Sequence, residues 1–184
     1  MQLTTDVPGD SDDESNEEYE NENAFNSAQA RFPEVFPANF IFDVGQIANL
    51  KNFHPPPSQV QMYWRLYLEN CEAIIRIFHT PTTSKIVDQA QADLNGLSRS
   101  NELVMFAIYF ATITAMSPEE VLTRLGGDKS MLLSQYQTAV QKAMVNAGFL
   151  NTQDLAVLQA FVLYLVCFPG NVLCSIFNLP KGFY

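Results

Sequence analysis

A chain of 184 residues has room for one domain and a tail, and its length argues against two. Its formal net charge of −10 is a property of one end: nine of the 20 acidic side chains fall in the first 24 residues, leaving 11 against ten Lys and Arg over the remainder. Those ten cations are scattered from Arg31 to Lys181 with no two adjacent, which argues against direct nucleic-acid contact by this chain and against a basic nuclear-localisation cluster.

Residues 1–52 read as a disordered acidic and aromatic arm. Between Asp6 and Asn23 the only aromatic is Tyr19, so little there can offset the conformational entropy lost on ordering. Aromatics then appear among polar residues and prolines, as in Arg31-Phe32-Pro33-Glu34-Val35-Phe36-Pro37 and Asn39-Phe40-Ile41-Phe42-Asp43. Two readings fit: a segment that docks on a coactivator, or a solvated linker whose aromatics pack on the adjoining domain. His54-Pro55-Pro56-Pro57 is a rigid extended lead-in, with Ser58 placed as the N-cap of a first helix. Val60, Tyr63, Trp64, Tyr67, Leu68, Cys71, Ile74, Ile75 and Phe78 continue that helix as one apolar stripe, with Arg65–Glu69 and Glu72–Arg76 pairs on its outer face.

His79-Thr80-Pro81 breaks the first helix, and a second starts near Thr82, shows Ile86, Val87, Ala90 and Leu94 on one side, and ends at Gly96. From about Ser98 a third follows, apolar from Leu103 to Met116 except at Thr112 and Thr114. A helix apolar on nearly all sides must sit at the centre of the fold. Ser117-Pro118-Glu119-Glu120 combines an N-cap, a proline at the first helical position and a reciprocal glutamate. That fourth helix stops at Gly126-Gly127. The fifth runs from about Asp128 to a C-terminal cap at Gly148 and aligns Leu132, Tyr136, Ala139, Val140, Ala143 and Ala147. The sixth begins near Asn151 or Thr152 and carries the apolar run 155–168, whose 14 residues fall short of the roughly 20 needed to cross a bilayer. The expected fold is therefore all-α: an irregular bundle or superhelix of about six antiparallel helices over residues 53–168, with an irregular C-terminal tail over 169–184.

Catalytic chemistry is thin. His54 stands among prolines and His79 at a helix end, where backbone carbonyls would satisfy it; neither belongs to a His-Glu-x-x-His motif. Cys71 lies on the apolar stripe beside Glu69 and Glu72, so it reads as a small hydrophobe. Glu119 and Glu120 are explained by capping and the helix dipole, and Gly126-Gly127-Asp128-Lys129-Ser130 by a helix-to-helix turn. Three cysteines, Cys71, Cys167 and Cys174, make neither a paired disulfide framework nor a four-ligand zinc site, and a reducing intracellular compartment suits them. No catalytic, cofactor-binding, metal-binding or DNA-binding residue is assigned, and no cofactor.

Three stretches in order carry a family resemblance over residues 54 to about 166. His54-Pro55-Pro56-Pro57 and Tyr63-Trp64-Arg65-Leu66-Tyr67-Leu68-Glu69-Asn70 lead to Ile77-Phe78-His79-Thr80-Pro81-Thr82. Ala107-Ile108-Tyr109-Phe110-Ala111 precedes Ser117-Pro118-Glu119-Glu120, and Asp154-Leu155-Ala156-Val157-Leu158-Gln159-Ala160 closes the set. In this order they resemble the start of the fungal-specific transcription factor domain, the middle homology region of the binuclear zinc-cluster regulators. The resemblance implies a nuclear regulator of transcription, often of a secondary-metabolite gene cluster, and no enzymatic role. Two departures matter: the family's zinc cluster needs six cysteines in a basic setting, and its domain runs on for a few hundred residues. The ending near Phe168-Pro169-Gly170-Asn171 reads as a truncation or a shifted exon boundary. The central and last helices should then expose apolar faces that missing helices would cover, so the chain is expected to self-associate or to bind a related factor, without membrane contact. A small helical enzyme or a ligand-binding module with an apolar pocket near Tyr109 and Tyr136 is the competing expectation, and a non-functional remnant the third.

Overall fold

The chain's fold follows from where its prolines, capping side chains and glycines allow helices to begin and end. The computed structural model describes residues 49–168; the acidic arm, Cys174 and the C-terminal tail lie outside these residues. Six α-helices and no strand occur among the described residues: α1 Pro57–Tyr67, α2 Thr80–Ala92, α3 Arg99–Ala115, α4 Pro118–Leu125, α5 Lys129–Asn146 and α6 Leu155–Cys167. None is long and apolar enough to cross a membrane.

α3 is the axis around which the others pack. Every residue from Leu103 to Met116 is buried, and α3 makes its most extensive contacts with α5 and α6, then with α1. The sequence led to an expectation of an uncovered face on this central helix; it has none, because α1, α5 and α6 enclose it. Its two buried threonines cause no unpaired polar atoms. Thr112 donates to the Ile108 carbonyl at 2.8 Å and Thr114 to the Phe110 carbonyl at 2.9 Å, the back-bonding that lets a hydroxyl sit inside a helix core. At the far end of α3, the Lys129 ammonium donates to the carbonyls of Thr114 at 3.3 Å and Met116 at 2.5 Å. That places a cation at the negative end of the helix and satisfies carbonyls that would otherwise lack a donor.

The caps of the middle helices fall where the sequence puts them. Ser98 accepts from the Asn101 amide and opens α3, Ser117 and Glu120 form the reciprocal box that opens α4, and Asp128 accepts from the Met131 amide to open α5. Gly126 and Gly148 adopt left-handed φ of +74° and +64° at the ends of α4 and α5, a conformation that costs glycine little.

Five expectations are corrected. The N-cap of α1 is Pro56, not Ser58, because Pro57 fills the first helical position, where its missing N–H is no loss. The first helix does not run to Phe78. It widens into a π-helical turn over Leu68–Glu72, where the Asn70 side chain donates to the Leu66 carbonyl at 2.8 Å and competes with the backbone ladder. Residues 73–79 are then non-helical. The altered register separates the expected outer pairs: Glu69 meets Arg124 of α4 at 3.0 Å instead of Arg65, and Glu72 accepts from the Thr80 hydroxyl at 3.5 Å. The second helix starts at Thr80, with Pro81 inside its first turn, and α6 starts at Leu155 because Asp154, not Asn151 or Thr152, caps it through the Ala156 amide at 2.9 Å.

Candidate functional site

Two places concentrate what this fold can offer chemically: a buried polar cluster beside α3, and the exposed side of α6.

The buried cluster is built from three tyrosines on three helices. Tyr63 of α1, Tyr109 of α3 and Tyr136 of α5 face one another with ring centroids 5.0, 5.5 and 5.7 Å apart. Tyr136 donates its hydroxyl to Tyr63 Oη at 3.1 Å, whereas the buried Tyr109 hydroxyl has no hydrogen-bond partner. Burial pushes all three phenols above their ordinary range, and the neighbouring Tyr63 oxygen adds to the rise at Tyr109 and Tyr136. They stay protonated and cannot serve as bases near neutrality.

His54 belongs to this cluster, which its proline-rich setting did not reveal. Its ring lies 4.3 Å from Phe106 and edge-on to Tyr109 at 5.9 Å. Its side chain is 1% exposed, and Nε2 stands 3.6 Å from Glu102 Oε1, beyond hydrogen-bond range. With Leu50 and Pro55 also buried and the Lys142 ammonium 5.4 Å over the Phe53 ring, His54 pins residues 50–55 against α3 and α5. The imidazole is shut off from solvent, whereas the Glu102 side chain beside it is 20% exposed. A signal for its burial did exist: two prolines after His54 hold the backbone extended, and a leucine and a phenylalanine just before it supply apolar anchors.

The other sequence candidates fall apart in space. Cys71 is fully buried, its thiol donating to the Ala111 carbonyl at 3.6 Å; burial, reinforced by Glu72, pushes it up to about 12. A thiol so held is not a nucleophile. His79 sits at the N-cap of α2, with Nδ1 2.8 Å from the Thr82 hydroxyl; it is not at a helix C-terminus among carbonyls, because the π-helical turn that follows α1 already ends at Glu72. Among the described residues no group of three His, Cys, Asp or Glu side chains could hold a metal ion.

The exposed side of α6 is of a different kind. Leu155, Leu158 and Val162 recur at three and four residues and are 67%, 44% and 47% exposed. Opposite them, Val157, Ala160, Leu163, Tyr164 and Cys167 are buried. No charged residue occurs from 155 to 168. Such a face offers apolar contact to another chain segment and nothing for bond-making chemistry.

Similar proteins carry the names of fungal transcription regulators. Transcriptional regulator AacuB of Aspergillus aculeatus is 32% identical over 118 residues, 64% of this chain and 16% of its own length. An aurofusarin cluster transcription factor of Gibberella zeae is 28% identical over 128 residues, 70% of this chain and 19% of its own. A pyriculol/pyriculariol biosynthesis cluster transcription factor of Pyricularia oryzae is 28% identical over 123 residues, 67% and 16%. The chain thus spans less than a fifth of the length of these curated relatives. No family model matches the chain, and no solved structure matches it.

Proposed function

We propose that this chain is a transcription-regulatory module of the fungal zinc-cluster type, equivalent to the start of the middle homology region, and that it works through protein contacts rather than catalysis. The observation that carries this reading is the similarity to named transcription regulators over 118 residues, on a helical body whose buried tyrosines Tyr63, Tyr109 and Tyr136 stay protonated. The relatives' names also support a gene-cluster role: two of them belong to the aurofusarin and pyriculol/pyriculariol clusters. The chain's own cations are scattered, so DNA contact lies outside these residues, and the partners proposed for them are a related zinc-cluster factor, a second copy or a coactivator. The working compartment on this reading is the nucleus.

The apolar side of α6 is the surface this reading assigns to the contact. Leu155, Leu158 and Val162 form a strip that suits an amphipathic helix from another chain. Deleting the gene tests the reading: transcripts of the genes flanking it are expected to change at least several-fold in the organism that encodes it. Unchanged transcripts in deletion and overexpression strains alike would contradict a regulatory role.

A further inference from the structure

Phenylalanines could fill the space between α1, α3 and α5 and leave no polar atom inside, yet the sequence places Tyr63, Tyr109 and Tyr136 there. All three are at most 2% exposed, so bulk solvent does not reach their hydroxyls. A hydroxyl buried without a partner is costly, and three of them in one contact call for an account of where each hydrogen goes.

A phenol has one hydrogen to donate and lone pairs with which to accept. Tyr136 donates its hydrogen to Tyr63 Oη at 3.1 Å, which leaves the Tyr63 hydrogen in need of an acceptor of its own; reversing that bond only moves the shortfall to Tyr136. The Tyr109 hydroxyl has no partner, so its oxygen stands beyond hydrogen-bond reach of the pair, although its ring lies 5.0 Å from Tyr63 and 5.5 Å from Tyr136. The oxygens are nonetheless close enough for Tyr63 to raise the Tyr109 phenol. His54, edge-on to the Tyr109 ring, contributes two more buried atoms in the same condition, since neither ring nitrogen has a hydrogen-bond partner. A neutral imidazole always presents one donor and one acceptor.

We propose that Tyr63 Oη and Tyr109 Oη bind one water molecule between them, each donating its hydrogen to it, and that this water is a fixed part of the contact joining α1, α3 and α5. The water's own hydrogens reach lone pairs on Tyr136 Oη and on the acceptor nitrogen of His54. A buried water makes about three such bonds, and this cluster offers them. Tyr67 marks the contrast: its hydroxyl also lacks a partner, but the rings it touches are those of Trp64 and Phe78, which bring no hydroxyl. The site concerns how the helical body is held together and stands apart from the proposed function.

The test uses the full chain and counts its long-lived internal waters by magnetic relaxation dispersion of the solvent. Tyr63→Phe with Tyr109→Phe is expected to hold one water fewer than the native chain; equal counts would overturn the proposal. Thermal unfolding of the single variant Tyr109→Phe, which removes one oxygen and keeps the ring, gives a second reading. Deleting a hydroxyl that bonds to nothing leaves Tm unchanged or raises it, whereas deleting one that holds a water strands that water's other bonds. The expected result is a Tm lowered by about 3 °C, and a variant as stable as the native chain or more so would equally overturn the proposal.

Discussion

At the scale of single residues, the polar atoms near α3 tell against chemistry and for packing. Tyr63, Tyr67, Tyr109 and Tyr136 are all buried, and burial raises each phenol above its ordinary 10.0. Because the folded state binds these protons more tightly than the unfolded chain does, their contribution to stability is complete below about pH 10. It is lost as pH rises beyond that, once the unfolded chain releases the protons and the folded one cannot. Urea unfolding midpoints are therefore expected to hold between pH 8 and 9 and to fall steeply by about pH 11. Tyr67 isolates the effect, since its buried hydroxyl has no hydrogen-bond partner. Tyr67→Phe should leave stability at pH 8 unchanged or raise it by up to about 1 kcal/mol, and should make the alkaline fall shallower. A fall of the same steepness in the variant would show that this phenol does not titrate as its burial requires.

At the scale of elements, the helix starts are held by identifiable side chains. Ser117 accepts from the Glu120 amide at 3.2 Å, and the Glu120 carboxylate accepts from the Ser117 amide at 2.9 Å. Ser117→Ala should cost about 1 kcal/mol, read as a lowered Tm. Gly126→Ala meets no atom within 4 Å of the added Cβ, so its cost is the left-handed backbone alone, about 1 kcal/mol by the same measurement. Elements of this kind were legible in the sequence because a local signal defines them: Ser117-Pro118-Glu119-Glu120 needs no tertiary partner to specify a helix start. The end of α1 was not legible. Its apolar positions keep helical spacing to Phe78, and Phe78 is indeed buried, but from a non-helical segment. What ends α1 is a π-helical turn in which the Asn70 side chain competes for the Leu66 carbonyl, and a proline at 81 that opens the next helix instead of closing this one. Spacing reports which side chains are buried, and it is blind to a backbone that reaches the same core by another route. The burial of His54 was hidden for the related reason that its partners, Phe106 and Tyr109, are half the domain away in sequence.

At the scale of the whole molecule, the apolar content of the described residues divides between an enclosed axis and outward side chains: Leu155, Leu158 and Val162 line a strip on α6, and Leu122, Met131, Val145 and Leu150 lie exposed elsewhere. α3 is enclosed from Leu103 to Ala115, whereas α6 turns Leu155, Leu158 and Val162 outward. The residues similar to transcription regulators include this enclosed helical body, and the proposed function assigns its contact to the apolar side of α6. The most direct measurement tethers the full chain to a heterologous DNA-binding module upstream of a reporter gene and compares it with two variants. The account predicts that the native chain changes reporter output several-fold, that Leu158→Asp with Val162→Asp abolishes the change, and that Tyr67→Phe preserves it. A reporter indifferent to the native chain, or one that responds equally with α6 charged, would contradict it.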